Sequence, residues 1–168
     1  MDKKFLKLKL KTVDKWVILL IGTPLVGKST FIKEEFFDME YSLLSRDETL
    51  LEVAGTDDYA LAWETVLQKE VDRTLIDKFE KFSSDGKNCV VDMTNLSLKR
   101  RRKNLSYFDD TYYKVAVVFD FLSKKEYEFR NDKRSKEENK FIPFKVLENM
   151  IESYTPVSKD EGFDLIVY

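Results

Sequence analysis

The sequence predicts an α/β fold in which a parallel sheet of about five strands carries helices on both faces, with a short helical lid. Three observations carry that expectation. Short apolar runs alternate with amphipathic segments along the 168 residues, the pattern of strand–helix–strand crossovers. The run Val17-Ile18-Leu19-Leu20-Ile21 leads into Gly22-Thr23-Pro24-Leu25-Val26-Gly27-Lys28-Ser29, which fits the phosphate-loop (P-loop) pattern G-x-x-x-x-G-K-[ST]. A helical segment from Ser29 to Phe36 follows, and strand, loop and helix in that order are the context the pattern requires.

Each element follows from its residues in turn. Leu6, Leu8 and Leu10 alternate with lysines, which suits a half-exposed edge strand within residues 1–14. The first central strand covers 16–21, and Tyr41-Ser42-Leu43-Leu44-Ser45 forms a second, short strand ending at Arg46-Asp47-Glu48. From about Asp57 to Phe82, Trp63, Leu67, Val71, Leu75 and Phe79 recur every four positions. That spacing predicts one long helix packed by a single face and closed by Ser83-Ser84-Asp85-Gly86. Asn88 to Asp92 reads as a buried strand, Ser97 to Phe108 as a helix with Ser97 at its N-cap, and Tyr112 to Phe121 as a long strand. Ser123 and Glu126 have capping-box spacing for the helix that carries Arg130 and Arg134. The polar stretch Ser135 to Lys140 follows, then a helix starting near Pro143 and a last strand over Phe163 to Tyr168. No repeat or Pro/Gly cluster marks a boundary, so one domain over 1–168 is expected, with right-handed crossovers.

Composition narrows the chemistry. The 29 basic and 31 acidic residues leave a formal net charge of −2, so no global field draws in a polyanion and any nucleic-acid contact has to be local. The single cysteine, Cys89, lies in an apolar run and allows no intrachain disulfide, which favours a reducing, intracellular setting. No apolar run reaches membrane-spanning length and the N-terminus lacks a signal-peptide pattern, so a cytoplasmic protein with no membrane partner is expected. Histidine is absent, which removes the commonest general base and leaves that work to a carboxylate.

In the loop, Gly22, Thr23, Pro24, Leu25, Val26 and Gly27 are expected to turn backbone N–H groups toward phosphate oxygens. Lys28 then reaches the β and γ phosphates, and the Ser29 hydroxyl, with Thr30 beside it, serves Mg²⁺. The implied ligand is ATP, GTP or another nucleoside triphosphate. Ligands of doubly wound sheets lie beyond the carboxyl ends of the strands, and Asp47 and Asp92 both stand there. Asp47 is the candidate base for an attacking hydroxyl; a first-turn helix acid is the other reading of the same position. Arg130 and Arg134, four apart, share a helix face and can reach a triphosphate or pair with Glu126 or Glu128. The run Lys99-Arg100-Arg101-Arg102-Lys103 suggests a polyanionic substrate. Leu98 and Leu105 define its buried seam, Arg101 and Arg102 flank that seam, and Arg101 is the member assigned to substrate binding.

Taken together, these residues resemble the kinase domain of polynucleotide 5′-kinases, P-loop phosphotransferases found alone or fused to a 3′-phosphatase in phage and in RNA or DNA repair. The resemblance spans nearly the whole chain. It rests on the loop 22–29, Ser45-Arg46-Asp47, Asp92-Met93-Thr94-Asn95-Leu96, Arg130-Asn131-Asp132-Lys133-Arg134, and Ile142-Pro143 with Val146, Leu147 and Met150, in the family's order. It implies transfer of the γ-phosphate of ATP or another triphosphate, with Mg²⁺, to the 5′-hydroxyl of DNA or RNA. By that resemblance Lys28 and Ser29 bind phosphates and metal, Asp47 activates the hydroxyl, and Arg134, with Arg130 in a lid over 130–142, clamps the transferring phosphate. Arg46 lines the acceptor pocket, and Asp92, with Thr94 and Asn95, positions Asp47 or a metal-bound water. Three departures stand out. Leu25 and Val26 replace the small residues usual in the family's loop, and Leu50 occupies a position where relatives often place a substrate-contacting arginine. No D-x-D-G-T phosphatase motif occurs, so a stand-alone kinase is expected. Two other readings keep the loop and give it a different role. One is a kinase for a nucleoside, sugar, antibiotic or hydroxymethylated base in DNA, and the other is a nucleotide-binding regulator without transferase activity.

Overall fold

Trp16–Ile21 (β1) is apolar and buried at every position, as the central strand of a parallel sheet has to be. Around it stand β2 (Ser42–Ser45), β3 (Cys89–Asp92), β4 (Tyr113–Val118) and β5 (Leu165–Val167). The order is β2-β3-β1-β4-β5, every neighbouring pair parallel. The computed structural model describes residues 3–168. Its helices are α1 (Lys3–Leu10), α2 (Lys28–Glu35), α3 (Arg46–Ala54), α4 (Tyr59–Thr65), α5 (Gln68–Ser84), α6 (Leu98–Leu105), α7 (Lys124–Glu138) and α8 (Phe144–Glu152), with a 3₁₀ turn at Lys159–Glu161. Alternate residues of β1 serve opposite faces. Val17, Leu19 and Ile21 pack with Leu75 and Phe79 of α5 and Leu105 of α6, whereas Ile18 and Leu20 pack with Leu6 and Leu10 of α1 and Phe31 and Ile32 of α2. This is the α/β P-loop architecture the sequence predicts. No described helix is long and apolar enough to cross a membrane.

The caps match their residues. Ser97 accepts the Arg100 N–H at the start of α6, and Ser123 and Glu126 form the reciprocal capping box of α7. Elsewhere the elements differ from expectation. The N-terminal segment is the helix α1 rather than an edge strand: Leu6 and Leu10 are buried while Leu8 and Phe5 face out, a spacing of four rather than two. Leucine and lysine are strong helix formers, and the segment contains no β-branched residue to favour a strand. The part of that expectation covering residues 1–2 lies outside the described residues.

The single helix expected over Asp57 to Phe82 is two helices, α4 and α5, separated by extended backbone at Val66 and Leu67. Val71, Leu75 and Phe79 form the buried seam, but Trp63 and Leu67 are exposed. A strict spacing of four drifts by about 40° per step on a helix of 3.6 residues per turn, so five such positions cannot share one face. α7 runs on through the polar stretch expected to follow it and ends at Asn139, which takes the left-handed conformation (φ 53°).

Candidate active site

The phosphate loop joins β1 to α2, and its glycines answer two different needs. A Cβ on Gly22 would stand 2.9 Å from Val26 Cγ2 and 3.0 Å from Phe119 Cβ, so that position has no room for a side chain. The Gly22 N–H donates to the Thr94 carbonyl at 3.0 Å, tying the loop to the segment after β3. Gly27 has φ 100° at the N-cap of α2, a conformation that favours glycine. Leu25 also lies at positive φ, 72°, and its carbonyl accepts a hydrogen bond from Arg130 Nη1 at 2.9 Å. The Thr23 and Tyr127 hydroxyls share a buried hydrogen bond of 2.6 Å that fastens α7 to the loop. Lys28 folds back over the loop and donates from Nζ to the carbonyls of Gly22 (3.0 Å) and Thr23 (2.8 Å). Burial pulls its ammonium down to about 8, against the opposing pull of Asp92 and Asp47.

Strand order brings the carboxylates to this loop. β3 lies between β1 and β2, with Asp92 in register with Leu20 on one side and Ser45 on the other. Asp92 Oδ2 accepts from Ser29 Oγ at 3.4 Å; burial raises its pKa and Lys28 works against that rise. The pair are hard oxygen donors suited to Mg²⁺. Among the described residues no three His, Cys, Asp or Glu side chains cluster to hold a metal, so such an ion would complete its shell with phosphate oxygens and water. Asp47 opens α3, capped by Ser45. Its Oδ1 accepts from Tyr59 Oη at 3.3 Å, and its Oδ2 lies 3.6 Å from Lys140 Nζ and 3.9 Å from Arg134 Nη2. Lys28, Ser29, Asp47, Asp92 and Arg134 thus line one cleft of about 950 Å³. Pro24, Leu25, Gly27, Thr30, Arg46, Thr94 and Arg130 also face it.

Two expected substrate residues do not reach that cleft. Asn95, at φ 48°, is fully buried; its amide donates to the Leu20 carbonyl at 2.8 Å and accepts from Asn104 at 2.8 Å. Arg101 is fully buried as well, bidentate to Glu161 at 2.6 and 2.8 Å and donating to the carbonyls of Leu96 (2.7 Å) and Asn95 (3.2 Å). Both side chains therefore brace the turn that receives the Gly22 N–H, and Arg100, one residue earlier, lines the cleft instead. A step of about 100° between helix neighbours separates the two arginines. Arg101→Ala would leave the buried Glu161 carboxylate without its cation, with the Ser158 N–H at 2.9 Å as its remaining donor, and we expect a loss of about 3–5 kcal/mol in denaturant unfolding. Leu50 is likewise fully buried, with Ala62 and Val71, and contacts core rather than acceptor.

Sequence reasoning overlooked four residues. Tyr59 touches Asp47, Trp63 lines the cleft, Lys140 reaches Asp47 from beyond α7, and Tyr127 anchors α7. The four-residue step from Tyr59 to Trp63 was a usable signal. Lys140 and Tyr127 gave none, because their partners lie 93 and 104 positions away along the chain.

Comparison with known proteins bears on the fold. No curated protein matches the chain. Among solved structures, a chain of the Pnkp1/Rnl/Hen1 RNA repair complex superposes with a TM-score of 0.68 at 20% identity, covering 84% of this chain and 44% of that one. This chain therefore spans less than half of that relative. A gluconokinase from Sinorhizobium meliloti gives a TM-score of 0.53 at 14% identity over 92% of this chain and 82% of its own. Kti12 from Chaetomium thermophilum, in complex with ADP-AlF3, gives 0.59 at 14% identity over 90% and 88%. At such identities the likeness is one of fold, a P-loop fold shared with kinases. The model of the AAA domain matches residues 17–157, from the first residues of β1 to beyond α8, and the chain belongs to that nucleotide-binding P-loop family.

Proposed function

We propose that this chain transfers the γ-phosphoryl group of ATP to the 5′-hydroxyl end of DNA or RNA. The observation that carries the reading is Asp47 with the Arg134 guanidinium 3.9 Å away, in the same cleft as the phosphate loop. A base, a clamp and a phosphate cradle then share one space. In the reaction the hydroxyl oxygen bonds to the γ-phosphorus as Asp47 takes its proton, and the bond to the β–γ bridging oxygen breaks to release ADP. Lys28 would lie against the β and γ oxygens, and Arg134, in a lid over 130–142, would exchange Glu138 for the transferring phosphoryl. Ser29 and Asp92 would hold Mg²⁺, which supplies neutralisation of charge on the phosphates.

The nucleic-acid acceptor is supported by the ordered motifs and by the lining of the cleft. Seven basic side chains face it against five acidic ones, in a chain whose net charge is −2. The local field thus favours a polyanion that the whole chain does not. The burial of Leu50 favours a second reading, a small hydroxylated acceptor such as a sugar, because that position offers no cation to a backbone phosphate.

The test is transfer of label from γ-labelled ATP to a 5′-OH oligonucleotide, with its 5′-phosphorylated twin as control. Label on the 5′-OH strand alone is the expected result; label on neither strand but on a sugar would replace this reading with the second. In the same assay Arg134→Ala should cost about 10²–10³-fold in kcat, and a wild-type rate would remove Arg134 from the mechanism.

A further inference from the structure

We infer that Trp63 and Tyr59 form a stacking platform for the terminal base of the acceptor, beside the base-catalytic Asp47. The inference rests on the proposed transfer to nucleic-acid ends and adds how such an end is gripped. Tyr59 and Trp63 stand one helical turn apart on α4, their rings stacked at 6.3 Å with an interplanar angle of 23°. The inner ring is anchored to the chemistry, since Tyr59 Oη donates to Asp47 and Lys140 Nζ sits 4.2 Å from the ring centroid. Trp63, in contrast, is half exposed on the cleft wall.

A single exposed aromatic residue is ordinary on a protein surface, but this one is built into a support. The Arg46 guanidinium lies 5.8 Å from the Trp63 ring and is itself fixed by Gln68 (2.6 Å) and Asp72 (3.2 Å). A cation held beside an indole that opens into a cleft suits a planar, electron-rich ring followed by a phosphodiester. The placement suits it too: Tyr59 donates to Asp47 and its ring stacks on Trp63, so a terminal nucleotide whose hydroxyl meets Asp47 has the aromatic pair beside it. Arg46, which faces the cleft, also supplies a cation for the acceptor.

The experiment compares two 5′-OH oligonucleotides that differ only in the terminal residue, one with its base and one abasic, using wild type, Trp63→Leu and Trp63→Phe. Trp63→Leu should raise KM for the base-bearing strand by about 10- to 100-fold, leave KM for the abasic strand within about threefold, and change kcat little. Trp63→Phe should restore most of the loss. An unchanged KM, or an equal rise on both strands, overturns the platform.

A second readout does not depend on transfer. Trp16 is 1% exposed and Trp63 is 51% exposed, so quenching of tryptophan emission by an added nucleoside, without ATP, reports on Trp63. Quenching without label on any oligonucleotide would sustain the platform and sink the polynucleotide reading. Label on 5′-OH strands that is indifferent to Trp63, with no quenching, would do the reverse.

Discussion

Asp47→Asn should lower kcat for transfer by about 10²–10⁴-fold, the range for removing a general base, while the Kd for ATP moves by no more than a few-fold. The asparagine keeps the size of the side chain and can still accept from Tyr59 Oη, which donates to Oδ1 at 3.3 Å, so the geometry of α3 is preserved. What is lost, in the proposed mechanism, is the acceptor for the hydroxyl proton. A small effect on ATP is expected, because the Asp47 charge helps hold the Lys28 ammonium protonated. Lys140 and Arg134 lose an anion at 3.6 and 3.9 Å, but Asp47 is about half exposed (47%), so water replaces much of that contact. Single-turnover transfer and ATP titration on the same variant separate the two effects. Loss of ATP binding equal to the loss of transfer would show that Asp47 serves the nucleotide rather than the acceptor.

Lys28→Ala should weaken both steps together. A charge-assisted contact to phosphate contributes roughly 1.5–3 kcal/mol, so ATP affinity should fall by about 10- to 100-fold. In the proposed transfer the same ammonium meets charge that grows on the transferring phosphoryl, and kcat should fall by about a further 10²–10³-fold. At pH 7 the group lies below its value of about 8 and is mostly charged, despite its burial. The variant also strips a donor from the Gly22 and Thr23 carbonyls, which lie 3.0 and 2.8 Å from Nζ, so thermal unfolding belongs beside the kinetics. An intact fold with wild-type ATP affinity would overturn the phosphate role of Lys28.

The different fates of Asp47 and Arg101 show where sequence reasoning had purchase. The place of Asp47 in the cleft is legible because it follows a short apolar strand, and strand ends converge at one edge of any parallel sheet. Arg101 was misread because a basic run carries no record of which member points inward. Its burial depends on Glu161, 60 positions later in the chain. Asn95 failed in the same way, since its partners, Leu20 and Asn104, are fixed only when β1, β3 and α6 have come together.

By itself, the sequence determined the phosphate loop, the parallel α/β order, the helix caps and the carboxylates at the strand ends. These depend on residue type and near-neighbour spacing, which act through local backbone geometry. Only the tertiary structure decided that Tyr59 and Lys140 close around Asp47, that Tyr127 locks α7 to the loop, and that Arg101 is a buried brace. Each of those depends on which surface remains free after distant segments have packed, and that competition for burial among segments far apart in the chain is not encoded in any local pattern.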